Sequence, residues 1–142
     1  MGLDMYLSAK KYFYTDDDTA KAVAKVVGTG DFQVQEVSVR AMYWRKANAI
    51  HGWFVRNCQD DVDDCQEYYV SHEKLERLRD ICQAVLDDDD EWADELEPTE
   101  GFFFGSTEKD DGYYEDLKHT VEGLNRVLNE LDSYDFYYRA SW

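Results

Sequence analysis

The segment Tyr43-Trp44-Arg45-Lys46-Ala47-Asn48-Ala49-Ile50-His51-Gly52-Trp53 concentrates side chains able to do chemistry. Read as a helix, it places Trp44, Asn48 and His51 at i, i+4 and i+7, along one side. Arg45 and Lys46 sit just off that side. An aromatic ring, an amide, a titratable imidazole and two cations on one short helix form a grip for a polar or anionic ligand. The competing expectation is a core helix whose His51 is satisfied by a backbone carbonyl. Ser106 extends the same candidate ligand pocket. The run Gly105-Ser106-Thr107-Glu108 follows three phenylalanines and precedes a helical pattern. Ser106 or Thr107 is then an N-cap, or a hydroxyl nucleophile with His51 or His119 as base. His119 falls on the polar side of that helix, as a surface histidine does.

A second candidate is a surface. The chain has 142 residues, with 15 Lys and Arg against 32 Asp and Glu, a net charge of −17. Residues 1–56 hold eight bases and six acids, whereas residues 57–142 hold seven bases and twenty-six acids. Asp87 to Glu100 has nine acids among fourteen residues and no base. Repulsion between such neighbours predicts a solvated acidic loop or helix end over 87–100. The candidate partner-binding residues are Asp87, Asp88, Asp89, Asp90 and Glu91, then Asp94, Glu95, Glu97 and Glu100. Asp110, Asp111, Glu115 and Asp116 join them from the helix that follows. Such an array serves solubility, or it offers a basic protein a negative surface. Duplex DNA carries one charge per about 1.7 Å of axis, so a rigid carboxylate array competes for the same Lys and Arg side chains. Aromatics interleaved with acids, as in Tyr113-Tyr114-Glu115-Asp116, suit a basic protein surface better than a nucleic acid.

The same composition excludes other classes. Direct duplex binding needs basic phosphate contacts, and an anionic membrane repels this chain. No run of about 18 apolar residues spans a membrane. The opening MGLDMYLSAKKY has no basic n-region before an apolar h-region, so no signal peptide is expected. Three cysteines, Cys58, Cys65 and Cys82, read as free thiols of a cytoplasmic protein. No GxxxxGK[ST], GxSxG, HExxH or CxxC occurs, and Gly28-Thr29-Gly30 stops a helix instead of cradling a phosphate. Asp60, Asp61, Asp63 and Asp64 resemble a calcium loop only superficially, because position six is Cys65 where a glycine is needed. His51, Cys58, Cys65 and His72 lack zinc-knuckle spacing. No metal and no cofactor is expected, and an enzyme is disfavoured.

The positioning elements follow from periodicity. Leu3, Met5 and Leu7 alternate with polar residues as a half-buried strand. Asp16 to Asp18 and Thr19 cap a helix reaching about Val27. Phe32 to Tyr43 is a second strand with a phase shift near Glu36. Trp44 to Cys58 reads as a helix, with Ala47, Ile50, Phe54 and Cys58 at helical spacing. Gln66 to Val70 is a short strand. Ser71 caps a helix buried through Leu75, Leu78, Cys82 and Val85. Phe102 to Phe104 form a short buried strand or loop. Asp110 to Leu131 is the longest helix, and Tyr134 to Trp142 the last strand. The expectation is a single compact α+β domain over 1–142, with a mixed, mostly antiparallel sheet and about four helices.

Four blocks in order, MGLDMYL, YWRKANAIHGWFV, GFFFGSTEKDDGYYEDL and DFYYRASW, resemble an uncharacterised family of small phage and bacterial proteins. The resemblance covers nearly the whole chain. It implies a phage or prophage setting and no particular activity, and it adds weight to a shared site around Trp44–His51 and Phe102–Tyr114. The acidic stretch lies outside these blocks. The functional expectation is a phage-type acidic protein that binds and inhibits a host nucleic-acid-binding defence factor, of anti-CRISPR or DNA-mimic type. The alternative is a small-ligand-binding or sequestering protein using Trp44, Arg45, Asn48, His51 and Ser106.

Overall fold

The computed structural model describes residues 2–142. Strand β1 (Asp4–Tyr12) alternates strictly, burying Met5, Leu7 and Ala9 on one face. It pairs antiparallel with β2 (Glu36–Arg45) on one side and β4 (Asp135–Ser141) on the other. The short β3 (Tyr68–Val70) completes the sheet on the far side of β4, giving the order β2-β1-β4-β3. Every pairing is antiparallel, so the domain is α+β with a four-stranded antiparallel sheet.

The helices are α1 (Asp18–Val27), α2 (Asn48–Cys58), α3 (His72–Leu86) and α4 (Asp111–Glu130), with a 3-10 helix at Asp90–Leu96. Asp17 caps α1, Ser71 caps α3 and Asp110 caps α4, each accepting a backbone N–H of the first turn. The core lies between the inner sheet face and α2, α3 and α4. Its largest members are Trp44, Trp53, Phe54, Phe136 and Tyr138, and Phe54 stacks on Tyr138 at 3.9 Å.

Two expectations shift. The irregularity in β2 is not near Glu36. Leu7 faces Met42 and Ser8 faces Arg40, which leaves Ala41 as the extra residue. Trp44 is not helical. Met42 and Trp44 both point into the core, and the strand runs on to Arg45. Lys46, at φ 56°, then turns the chain, and α2 starts only at Asn48. From Asn48 to Phe54 every residue of α2 is buried. A helix enclosed on all sides has no polar stripe to mark where it begins.

The acidic stretch starts at a helix end and continues as a short 3-10 helix, with Asp87–Glu91 and Asp94 exposed. Asp87 ends α3, and the 3-10 helix folds back against α3 and α2. Trp92 packs on the core and Leu96 is fully buried. These two apolar residues hold a segment that charge alone drives into solvent.

Candidate functional site

Asn48 and His51 are structural anchors with every polar atom engaged. The Asn48 amide donates to the carbonyls of Phe104, at 3.1 Å, and Ser106, at 2.8 Å. Its Oδ1 accepts the Thr99 N–H at 3.0 Å. One side chain thereby ties down the loop from Thr99 to Ser106. His51, one turn later, is fully buried. Its Nε2 lies 2.9 Å from Asp63 Oδ1 and its Nδ1 lies 2.7 Å from the Tyr138 hydroxyl. A carboxylate only accepts, so the imidazole carries its proton on Nε2 and takes the Tyr138 O–H at Nδ1. Burial holds the His51 pKa below its ordinary 6.5 despite the opposing pull of Asp63. The partners are thus a carboxylate and a phenol, not the backbone carbonyl expected.

The candidate ligand pocket is only partly assembled. Arg45, Asn48 and Ser106 line a cavity of about 290 Å³ with Lys46, Asp110 and Asp116. Trp44 and His51 lie outside it. Trp44 donates its indole N–H to Thr120 Oγ1 at 2.9 Å, inside the core. Ser106 Oγ accepts the Glu108 N–H, and Asp110, not Ser106 or Thr107, caps α4. Neither histidine serves Ser106 as a base, because His51 is committed to Asp63 and Tyr138 and His119 donates to the Tyr43 carbonyl at 2.9 Å. Asp116, on the cavity wall, has its pKa pushed up to about 6, chiefly by burial.

The acidic candidates divide. Asp87, Asp88, Asp89, Asp90, Glu91 and Asp94 are exposed. Glu95 pairs with Arg77 at 2.9 Å, and Glu97 with Lys109 at 2.5 Å. Arg56 also donates to the Glu95 carbonyl at 2.7 Å, pinning the 3-10 helix to α2. Glu115 pairs with Lys118, and Asp110 is spent on its cap. Asp111 and Glu100 face solvent. The exposed acids do not stand alone. Glu73, Glu76 and Asp80 of α3 line one groove with Arg77, Ile81 and Trp92 of the 3-10 helix. α3 balances these three acids with Lys74, Arg77 and Arg79, and Asp80 pairs with Arg79 at 2.9 Å, so the negative excess lies in the segment after α3. Glu73, Glu76 and Asp80 were not among the sequence candidates, although their i, i+3, i+7 spacing places them on one side of the helix. Asp63 was hidden inside a run of four aspartates.

No family model, no curated protein and no solved structure matches this chain. Among the described residues no helix is long and apolar enough to cross a membrane. Among them, too, no group of three or more His, Cys, Asp and Glu side chains is placed to hold a metal ion.

Proposed function

We propose that the chain is an acidic binding protein that occupies the basic surface of a partner protein through the exposed carboxylates from Asp87 to Asp94, displayed at the end of α3 and on the 3-10 helix. The observation that carries it is the packed geometry of the acidic stretch. Trp92 and Leu96 seat the segment, and Arg56 and Arg77 clamp Glu95 from neighbouring helices. Carboxylates held on a folded scaffold meet a basic surface without the ordering cost of a flexible tail. Asp87 to Glu91 and Asp94 then supply the unneutralised charge.

The resemblance to phage proteins supports a host target in the cytoplasm. A nuclease or CRISPR complex presents the kind of nucleic-acid-binding surface that such a face competes for. Inhibition follows by occupancy of the Lys and Arg side chains that otherwise hold phosphates.

The test is capture from host lysate by the tagged chain, with salt washes, added DNA as competitor, and identification of what is held. The expected result is a nucleic-acid-binding protein displaced by salt and by DNA, and lost when Asp87, Asp88, Asp89 and Asp90 are all changed to Lys in a variant that still folds. Undiminished binding of that protein by the charge-reversed variant would overturn the assignment.

A further inference from the structure

The turn from Gly101 to Gly105 presents aromatic rings in an unusual way. Phe104 is buried against His51, its ring 5.3 Å away and edge-on. Phe102 and Phe103 point outward, 83% and 43% exposed, with their rings 4.2 Å apart. Two exposed phenylalanines in contact with each other are costly on a water-facing surface. The turn is nonetheless held in place. Asn48 grips its Phe104 carbonyl, the Phe104 ring covers Gly101 where a Cβ would stand 2.4 Å from it, and Phe103 adopts a left-handed φ of 67°. A bulky residue takes that conformation only where its surroundings impose it.

These rings border an open cavity of about 430 Å³, lined also by Asp63, Glu100 and Trp142. Trp142 is 44% exposed. Asp63 lines the cavity while its Oδ1 is held by His51 Nε2 at 2.9 Å. Aromatic faces with two carboxylates and no base among the lining residues are complementary to an organic cation. A guanidinium fits this set best. Its plane stacks on aromatic faces, and its fork of N–H donors pairs with carboxylates.

We propose that this cavity receives an arginine side chain of the basic partner, packed against Phe102, Phe103 and Trp142 and paired with Asp63 and Glu100. The proposal rests on the reading of the chain as a binder of basic protein surfaces, and adds a specific anchor to its diffuse charge. Charge steers the encounter, and a single desolvated arginine fixes the register.

The test is NMR titration of the ¹⁵N-labelled full chain with the peptide acetyl-Gly-Arg-Gly-amide, and with the same peptide carrying neutral citrulline for arginine. The expected result is saturable shifts at the Phe102 and Phe103 amides and the Trp142 indole with the arginine peptide alone. Binding should weaken about tenfold in Phe102→Ala, the order a desolvated cation–π contact supplies. It should weaken comparably in Asp63→Asn, which keeps an oxygen for His51 to donate to. Equal binding of the citrulline peptide overturns the proposal, as does saturation by tetramethylammonium with no response to arginine. Shifts confined to Asp87–Asp94 overturn the pocket and leave the acidic-face reading standing. Normal pocket shifts, together with partner capture that survives Lys at Asp87 to Asp90, overturn that reading and leave the pocket.

Discussion

His51 and Asp63 are twelve residues apart in the chain, and the imidazole Nε2 of one lies 2.9 Å from the carboxylate of the other. The first is fully buried and the second faces a cavity, so the pair links core to surface. Because burial lowers the His51 pKa, its contribution to stability is complete above the unfolded value of 6.5 and is lost as pH falls below it toward the folded value. The thermal midpoint is expected to decline as pH drops below 6.5, and the His51 ring protons in NMR to hold their neutral positions below that pH. His51→Ala strands the Tyr138 hydroxyl and opens a cavity, which costs about 2–4 kcal/mol in urea unfolding. A histidine titrating at its ordinary value would contradict the assignment.

Asp116 has the opposite sign. Its folded pKa, about 6, lies above the ordinary 3.8, mainly because burial disfavours the charge. A raised value stabilises below the unfolded pKa, and that contribution is lost as pH rises through the folded one. Asp116→Asn is therefore expected to stabilise the protein at pH 7 and above by about 1 kcal/mol, discounted for partial exposure. The gain should vanish below pH 4. Thermal midpoints of the two proteins from pH 4 to pH 8 decide it, and parallel curves would refute it.

Asn48 joins α2 to the loop above it through three hydrogen bonds. Asn48→Ala leaves two carbonyls and one N–H seeking partners, with an expected loss of about 2–4 kcal/mol. Hydrogen exchange locates the effect. The Thr99 amide should lose protection while the amides of β1 keep theirs. An unchanged Thr99 rate would mean that the loop is held by other contacts.

Gly52 sits mid-helix, where alanine ordinarily gains about 1 kcal/mol. Here a Cβ would stand 2.2 Å from Thr99 Oγ1 and 3.0 Å from Arg56 Nη1. Thr99 cannot retreat freely, since Asn48 holds its N–H. Gly52→Ala is expected to destabilise by about 1–3 kcal/mol, reversing the helix-propensity sign. A double variant with Thr99→Ala, which removes Oγ1, measures the coupling, and additive losses would show that Thr99 is not the obstacle.

What the sequence made legible follows the physics of exposure. β1 and α4 are half-buried, so Leu3-Met5-Leu7 and Leu117-Val121-Leu124 display their periods openly. α2 is buried all round from Asn48 to Phe54, so no polar face marks its start, and the apolar run from Trp44 reads as one helix across the strand end. Asn48 and His51 stood out by chemistry, but their partners Phe104, Ser106, Asp63 and Tyr138 come from distant parts of the chain. No local pattern encodes such pairings. The charge asymmetry was visible at once, whereas the seating of Trp92 and Leu96 depended on tertiary packing.

α1 stands apart from this economy. Its buried residues, Ala20 and Ala24, lie outside the main core, and the whole excursion from Phe13 to Gln35 leaves β1 and re-enters beside it through a single Phe13–Gln35 backbone bond. The sheet closes at that bond whatever lies beyond it. The segment is consequently a cassette: a short hairpin turn can replace it, or a foreign loop be grafted there, while the sheet and its three packed helices go on folding as before. Changes at that tip are expected to leave the acidic face undisturbed, because the two share no element of the core.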